Sequence, residues 1–176
     1  MIAAAATLSV RWRAATVPSG RVVWRTPEPL YRALDQEFAF TLDAAADDGN
    51  SVCDRFFDAE RDALAQSWAG ERVFCNPPYG RALDRWLAKA VVEAQEHGAT
   101  IVMLLPARTG NAWFHRHVLP HAEIRFLRGR QNFTIGGSGR CNAPFDSMVV
   151  IYRPYSAGDR RIATQPTFPF FEVEAY

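Results

Sequence analysis

Residues 73–80 read Val-Phe-Cys-Asn-Pro-Pro-Tyr-Gly, and how this stretch is read decides the fold. Val73, Phe74 and Cys75 continue a short apolar strand that begins at Arg72. Pro77 and Pro78 end it, because each proline holds φ at about −65° and lacks the N–H that a neighbouring strand would need. Past Gly80, the residues Leu83, Trp86, Leu87, Ala90, Val91 and Ala94 recur at three- and four-residue spacing. That spacing predicts a helix running to about His97 and closed by Gly98. Thr100 to Leu105 is then almost continuously apolar, as a strand covered on both faces should be. Strand, helix and strand in this order predict an α/β sheet that is mostly parallel.

The same alternation extends in both directions. Upstream, Thr26-Pro27-Glu28-Pro29 reads as a helix start, with Thr26 able to cap, followed by Leu30, Leu34 and Phe38 at helical spacing. Phe38 to Leu42 reads as a short buried strand ending at Asp43. Asp47-Asp48-Gly49-Asn50 is turn chemistry, and Ser51 to Trp68 is expected to be helical in part. Downstream we expect a helix near 111–117, a strand near 123–127, a glycine-rich loop over 136–139 and a strand over 147–152. The expected organisation is an irregular lead-in over 1–23, one domain over 24–153 and a tail over 154–176. Ligands of open α/β sheets sit beyond the carboxyl ends of the strands. Asp43, Asn76 and Pro106-Ala107-Arg108 all fall at such ends.

The 176 residues, 48% apolar and 22% charged, have the composition of a globular domain rather than a disordered or fibrous chain. Cys53, Cys75 and Cys141 form no CxxC pair, so neither a zinc site nor a disulfide framework is expected. His115, His117 and His121 match no familiar ligand spacing, and no metal is expected. The apolar opening residues have no basic residue ahead of them, and no apolar run approaches the ~20 residues of a membrane span. The expectation is a cytoplasmic protein with no membrane partner, a monomer or weak dimer. Charge is unevenly spread. Residues 43–71 hold eight acids against Arg55 and Arg61, whereas residues 97–140 hold Glu123 against Arg108, Arg116, Arg125, Arg128, Arg130 and Arg140. Such a basic half can face a polyanion.

The Asn-Pro-Pro-Tyr turn has chemistry of its own. Two prolines leave carbonyl acceptors in a stiff turn without competing donors, and Asn76 adds a side-chain carbonyl beside that of Pro77. Together they can accept both hydrogens of an amine whose lone pair is delocalised, favouring a pyramidal nitrogen with its lone pair free for in-line attack. Tyr79 offers a flat face for the planar group that carries the amine.

Asn76-Pro77-Pro78-Tyr79 at a strand end resembles the catalytic motif of S-adenosylmethionine-dependent amino-methyltransferases. The wider set is similar to the phage-type DNA N6-adenine methyltransferases. It comprises Trp24-Arg25-Thr26-Pro27, Phe40-Thr41-Leu42-Asp43-Ala44-Ala45-Ala46, Asn50, Cys53, Trp68, Trp86, Lys89, Leu104 to Thr109, Trp113-Phe114-His115, Gly129-Arg130 and Phe133. The resemblance implies a trimmed Rossmann-like class I methyltransferase fold with helices on both sheet faces, S-adenosylmethionine as cofactor and double-stranded DNA as partner, in a bacterial or phage-infected cell. It implies that Asn76, Pro77, Pro78 and Tyr79 hold a flipped-out adenine. Thr26, Pro27, Asp43, Ala44 and Ala45 would line the cofactor site, with Asp47, Asp48 and Asp62 as other candidates for the ribose-binding acid. Arg108, Arg128, Arg130 and Arg140 would grip DNA, and Phe133 would supply a second stacking face. The same turn also serves methylation of RNA or of protein glutamine, and an inactive nucleic-acid-binding relative would share the sequence pattern. Only 33 positions separate Asp43 from Asn76, too few for the two extra strand-helix units of a full doubly wound methyltransferase.

Overall fold

The computed structural model describes residues 24–135 and 139–155, with the side chains of 24, 25 and 132–142 outside the description. The lead-in over 1–23, most of the 136–139 loop and the tail beyond 155 therefore lie outside the described residues. Five strands form the main sheet, in the order β2 (Leu42–Asp43), β3 (Arg72–Cys75), β4 (Thr100–Pro106), β8 (Ser147–Tyr152) and β5 (Glu123–Phe126). β2, β3 and β4 pair in parallel, and β8 runs antiparallel to both β4 and β5. Four strands thus point one way, which matches the mostly parallel α/β expectation. The reversed β8 is a feature that its continuously apolar sequence does not encode.

Alternation along the strands divides the core in two. Val73, Cys75, Ile101, Met103, Leu105, Met148 and Val150 face α2 (Leu83–His97), whose Leu83, Trp86, Leu87, Ala90 and Ala94 are buried against them. Phe74, Val102, Leu104, Val149 and Ile151 face α1 (Glu28–Phe38) through Tyr31, Leu34 and Phe38. Helices therefore cover both faces. α2 ends as its sequence predicts, with Gly98 at φ 73° as the left-handed cap.

Four local expectations change. Thr26 does not cap α1, because Pro27 holds that position and the Thr26 hydroxyl points elsewhere. Phe38 belongs to the helix rather than to a strand. The chain turns at Ala39 in a left-handed conformation, the Asp35 carboxylate accepts the Phe40 N–H at 2.8 Å, and only Leu42–Asp43 is extended. The 51–68 segment is turns rather than helix, since Asp58 and Asp62 accept the N–H groups of Arg61 and Leu64 and compete with helical bonding. The segment ends at Trp68, fully buried, whose indole donates to Ala63 O at 3.0 Å and whose backbone N–H donates to buried Glu93 at 3.1 Å. The helix expected near 111–117 is a single wide π-helical turn, Phe114–Val118, packed on α2.

Two further features position the site. From β2 the chain reaches its neighbour β3 with only an isolated Asp43–Phe56 bridge between them, so the fold is trimmed as the short spacing implies. A second, antiparallel sheet joins β1 (Trp24–Arg25) to β6 (Asn132–Ile135) and β7 (Gly139–Asn142). Neither β1 nor this sheet was anticipated. The sheet delivers Thr26, directly after β1, to the carboxyl edge of the main sheet.

Candidate active site

Because β2, β3, β4 and β5 are parallel, the loops after Asp43, Cys75, Pro106 and Phe126 share one edge. The turn after β3 is tied in from both sides. Asn76 Nδ2 donates to Thr26 Oγ1 at 3.3 Å across a sequence separation of fifty positions, and the Tyr79 hydroxyl lies 2.9 Å from Asn76 Oδ1 and 3.2 Å from Leu104 O. Pro77 is buried and Pro78 exposed. Burial pushes the Tyr79 phenol well above its ordinary range, so it stays a hydrogen-bond donor. The chain leaves the turn at Gly80 with φ 121°, a conformation that an L side chain adopts only under strain.

The loop after β2 is organised around Asp43. This carboxylate is buried, its Oδ2 accepting the Val52 N–H at 3.2 Å and its Oδ1 the Ala45 N–H at 3.3 Å. Burial pushes it up to about 7; the two amides oppose the shift, and the neighbouring Asp47 charge adds to it. Tyr31 holds the far side of the loop by donating to Val52 O at 2.8 Å. Asp47 spends its carboxylate on the Gly49 N–H and its own N–H on Asn50 Oδ1.

One small cavity connects the two sides, lined by Thr26, Asp43, Ala45, Asn50, Val52, Phe74 and Asn76. Of the residues expected at a cofactor, Thr26, Asp43 and Ala45 line it. Pro27 instead opens α1, its carbonyl accepting the Tyr31 N–H, and Ala44 is packed in the core with its N–H on Phe74 O. Asp48 and Asp62 are exposed and do not line the cavity. Asn50, Val52 and Phe74 were not singled out as site residues. Asn50 had a visible signal, its place in the turn directly after the acidic pair.

Phe145 packs beside Tyr79, edge-on at 5.5 Å between ring centroids, and the Arg108 guanidinium carbon lies 5.9 Å from the Phe145 ring centroid. Phe145 was not anticipated. It arrives because the segment before β8 crosses this edge, where Ala107 N–H donates to Asp146 O at 2.8 Å and Leu127 N–H to Ser147 O at 3.0 Å. Phe133 sits on β6 and Arg140 on β7, their side chains outside the description.

The described arginines divide by partner, with Arg61 and Arg72 donating to the carbonyls of Phe56 and Ala39. Arg32, Arg55, Arg116, Arg125 and Arg153 pair with carboxylates. Arg81, Arg85, Arg108, Arg128 and Arg130 are exposed and make no ion pair with a described residue. All five follow the carboxyl ends of β3, β4 or β5. Among the described residues no cluster of three or more His, Cys, Asp or Glu is placed to hold a metal, and no helix is long and apolar enough to cross a membrane. His117 lies 3.3 Å from Asp84, and His121 meets Gln95 at 3.0 Å.

This mixed α/β sheet, with helices on both faces, is consistent with a methyltransferase-like fold. Residues 13–167 match the family described as DNA N-6-adenine-methyltransferase (Dam), and the chain belongs to that family. It is 34% identical over 131 residues to a DNA N-6-adenine-methyltransferase of Escherichia phage T1, covering 73% of this chain and 54% of the phage protein. This chain therefore spans about half the length of that relative. A DNA N-6-adenine-methyltransferase of Haemophilus phage HP1 is 28% identical over 146 residues, 79% of this chain and 83% of its own length. A shorter match, 38% over 64 residues, reaches the putative methyltransferase YfdM of Escherichia coli K12, covering 32% of this chain and 69% of that protein.

Proposed function

We propose that the chain methylates N6 of adenine in double-stranded DNA, with S-adenosylmethionine as methyl donor and the target base turned out of the duplex. The observation that carries this reading is that Asn76 belongs to both halves of the site. It lies within hydrogen-bond reach of Tyr79 in the strand-end turn and lines the same cavity as Asp43 and Thr26. An amine held at Asn76 therefore faces whatever occupies that cavity.

The lining suits the donor. Val52 and Phe74 give apolar walls, Asn50 gives a polar group, and Asp43 is a buried acid, pushed up to about 7 by burial, that gains by meeting a cation. Bound there, S-adenosylmethionine supplies an electrophilic methyl group. Asn76 Oδ1 accepts an N6 hydrogen and so directs the nitrogen lone pair toward the cavity. Tyr79 presents its ring to the base, and Phe145 supports that ring from its edge. No strong general base is needed, because the methylated nitrogen is acidic enough to lose its proton to water.

DNA as the polyanion is supported by the family and by the five rim arginines. Cations that pair with no described carboxylate, on the edge that holds Asn76, can meet phosphates, and phosphate contacts set register without reading sequence. Reaching an adenine amino group in a duplex requires base flipping.

The test is to incubate the purified chain with methyl-labelled S-adenosylmethionine and, separately, DNA, RNA and protein. Label in DNA is the expected result. Label confined to RNA or protein, or nucleic-acid binding with no transfer, overturns the reading in favour of another amino-methyltransferase or an inactive relative.

A further inference from the structure

The resemblance places Thr26 at the donor, yet among the described residues its hydroxyl accepts from Asn76 Nδ2 at 3.3 Å. The geometry points to Thr26 as a positioning residue that acts through Asn76: its hydroxyl anchors the amide nitrogen, and so keeps the amide oxygen turned to the target amine. This inference rests on the amino-methyl-transfer reading above and extends it.

Three observations support it. Thr26 is buried, and its Oγ1 accepts from Asn76 Nδ2 at 3.3 Å. The opposite end of the amide is met by the Tyr79 hydroxyl, 2.9 Å from Oδ1. Thr26 is also not free to drift, since β1 directly before it pairs with β6 and Pro27 directly after it opens α1. The second sheet thus serves as a mount for the Asn76 amide.

The chemistry requires such a mount. The two ends of a primary amide are nearly the same size but opposite in function, and only the oxygen accepts an amine hydrogen. A rotated amide would aim N–H at N–H and leave the target nitrogen's lone pair delocalised. A partner that accepts from Nδ2 also strengthens Oδ1 as an acceptor through the conjugated amide. Oδ1 has two acceptor positions, and Leu104 O at 3.2 Å gives the Tyr79 hydroxyl a second acceptor. An amine that displaces the Tyr79 hydroxyl from Oδ1 therefore does not strand that buried donor.

The experiment compares Thr26→Val, which keeps the shape and loses the hydroxyl, with Thr26→Ser, which keeps the hydroxyl. The expected result for Thr26→Val is a fall in single-turnover rate of about tenfold with unchanged S-adenosylmethionine affinity, and for Thr26→Ser a rate near wild type. A Thr26→Val protein with full rate but weakened donor affinity overturns the inference and returns Thr26 to the donor wall alone. Nuclear magnetic resonance of the Asn76 side-chain amide gives a readout independent of turnover. A shift and faster hydrogen exchange of its NH2 signals in Thr26→Val, reversed in Thr26→Ser, are expected. Unchanged signals overturn the anchor. Absence of transfer by wild type overturns the functional reading instead, and the resonance arm still decides whether the anchor exists.

Discussion

The two sides of the site are built from different materials. The turn after β3 holds its polar groups by side chains drawn from far along the chain, with Thr26 on one end of the Asn76 amide and Tyr79 on the other. The loop after β2 holds Asp43 by backbone N–H groups of its own near neighbours, Ala45 and Val52. The first arrangement depends on residue identity at each position. The second depends on the path of the chain, and many residue types could supply the same amides. Substitutions should therefore act sharply on the turn after β3, proposed to hold the base, while conditions and loop anchoring should act on the loop after β2, proposed to hold the donor.

The largest expected effect follows from that contrast. Asn76→Ala should cut transfer by a factor on the order of 10² to 10³, the scale for removing one aimed polar group at a reacting centre, while leaving donor affinity unchanged in a binding titration. A parallel loss of donor affinity would show that the two sides are not separable. Next is the anchor of the loop that connects β2 to β3. Buried Glu93 accepts from the Trp68 N–H at 3.1 Å and meets Lys89 at 2.6 Å and His97 at 3.2 Å. Glu93→Ala should cost about 3 kcal/mol in denaturant unfolding, because it strips a buried pair of one partner. A loss well under about 1 kcal/mol would show that the loop stands without this anchor.

Smaller effects come from Asp43 and the rim. Its carboxyl sits at about 7 in the fold against 3.8 as its ordinary value. A raised acid favours the protonated native state, so its contribution to stability falls as pH rises from about 4 to about 7 and is lost above. A bound cation favours the ionised form, so S-adenosylmethionine should bind roughly fivefold more tightly at pH 8 than at pH 6. A flat calorimetric profile would place Asp43 away from the donor's charge. Arg128→Ala and Arg130→Ala should each lower the slope of log affinity for DNA against log salt by about 1, with little dependence on DNA sequence. An unchanged slope would remove that arginine from the phosphate contacts.

The same difference in materials explains what the sequence revealed. β3, α2, β4 and β8 were legible because burial imposes periodicity and because Gly98 and the proline pair mark their ends. The Asn76–Tyr79 turn was legible because its residue types carry its geometry. The second sheet was not, since β1 is two residues long and its partners are distant in sequence. The reversal of β8 leaves no trace in an apolar run. The 51–68 segment misled because its aspartates cap local N–H groups instead of decorating a helix. Phe145 was missed because nothing in Ala-Pro-Phe-Asp shows that this segment crosses the edge beside Tyr79.

Asn76 is proposed to present the adenine amino group to a methyl donor lodged beside Asp43. The most direct test is to digest DNA labelled by the wild-type chain to nucleosides and identify the labelled species by chromatography and mass. The expected product is N6-methyldeoxyadenosine, formed by wild type and lost in Asn76→Ala. Label on N4 of deoxycytidine, or N6 label that persists in Asn76→Ala, would contradict it.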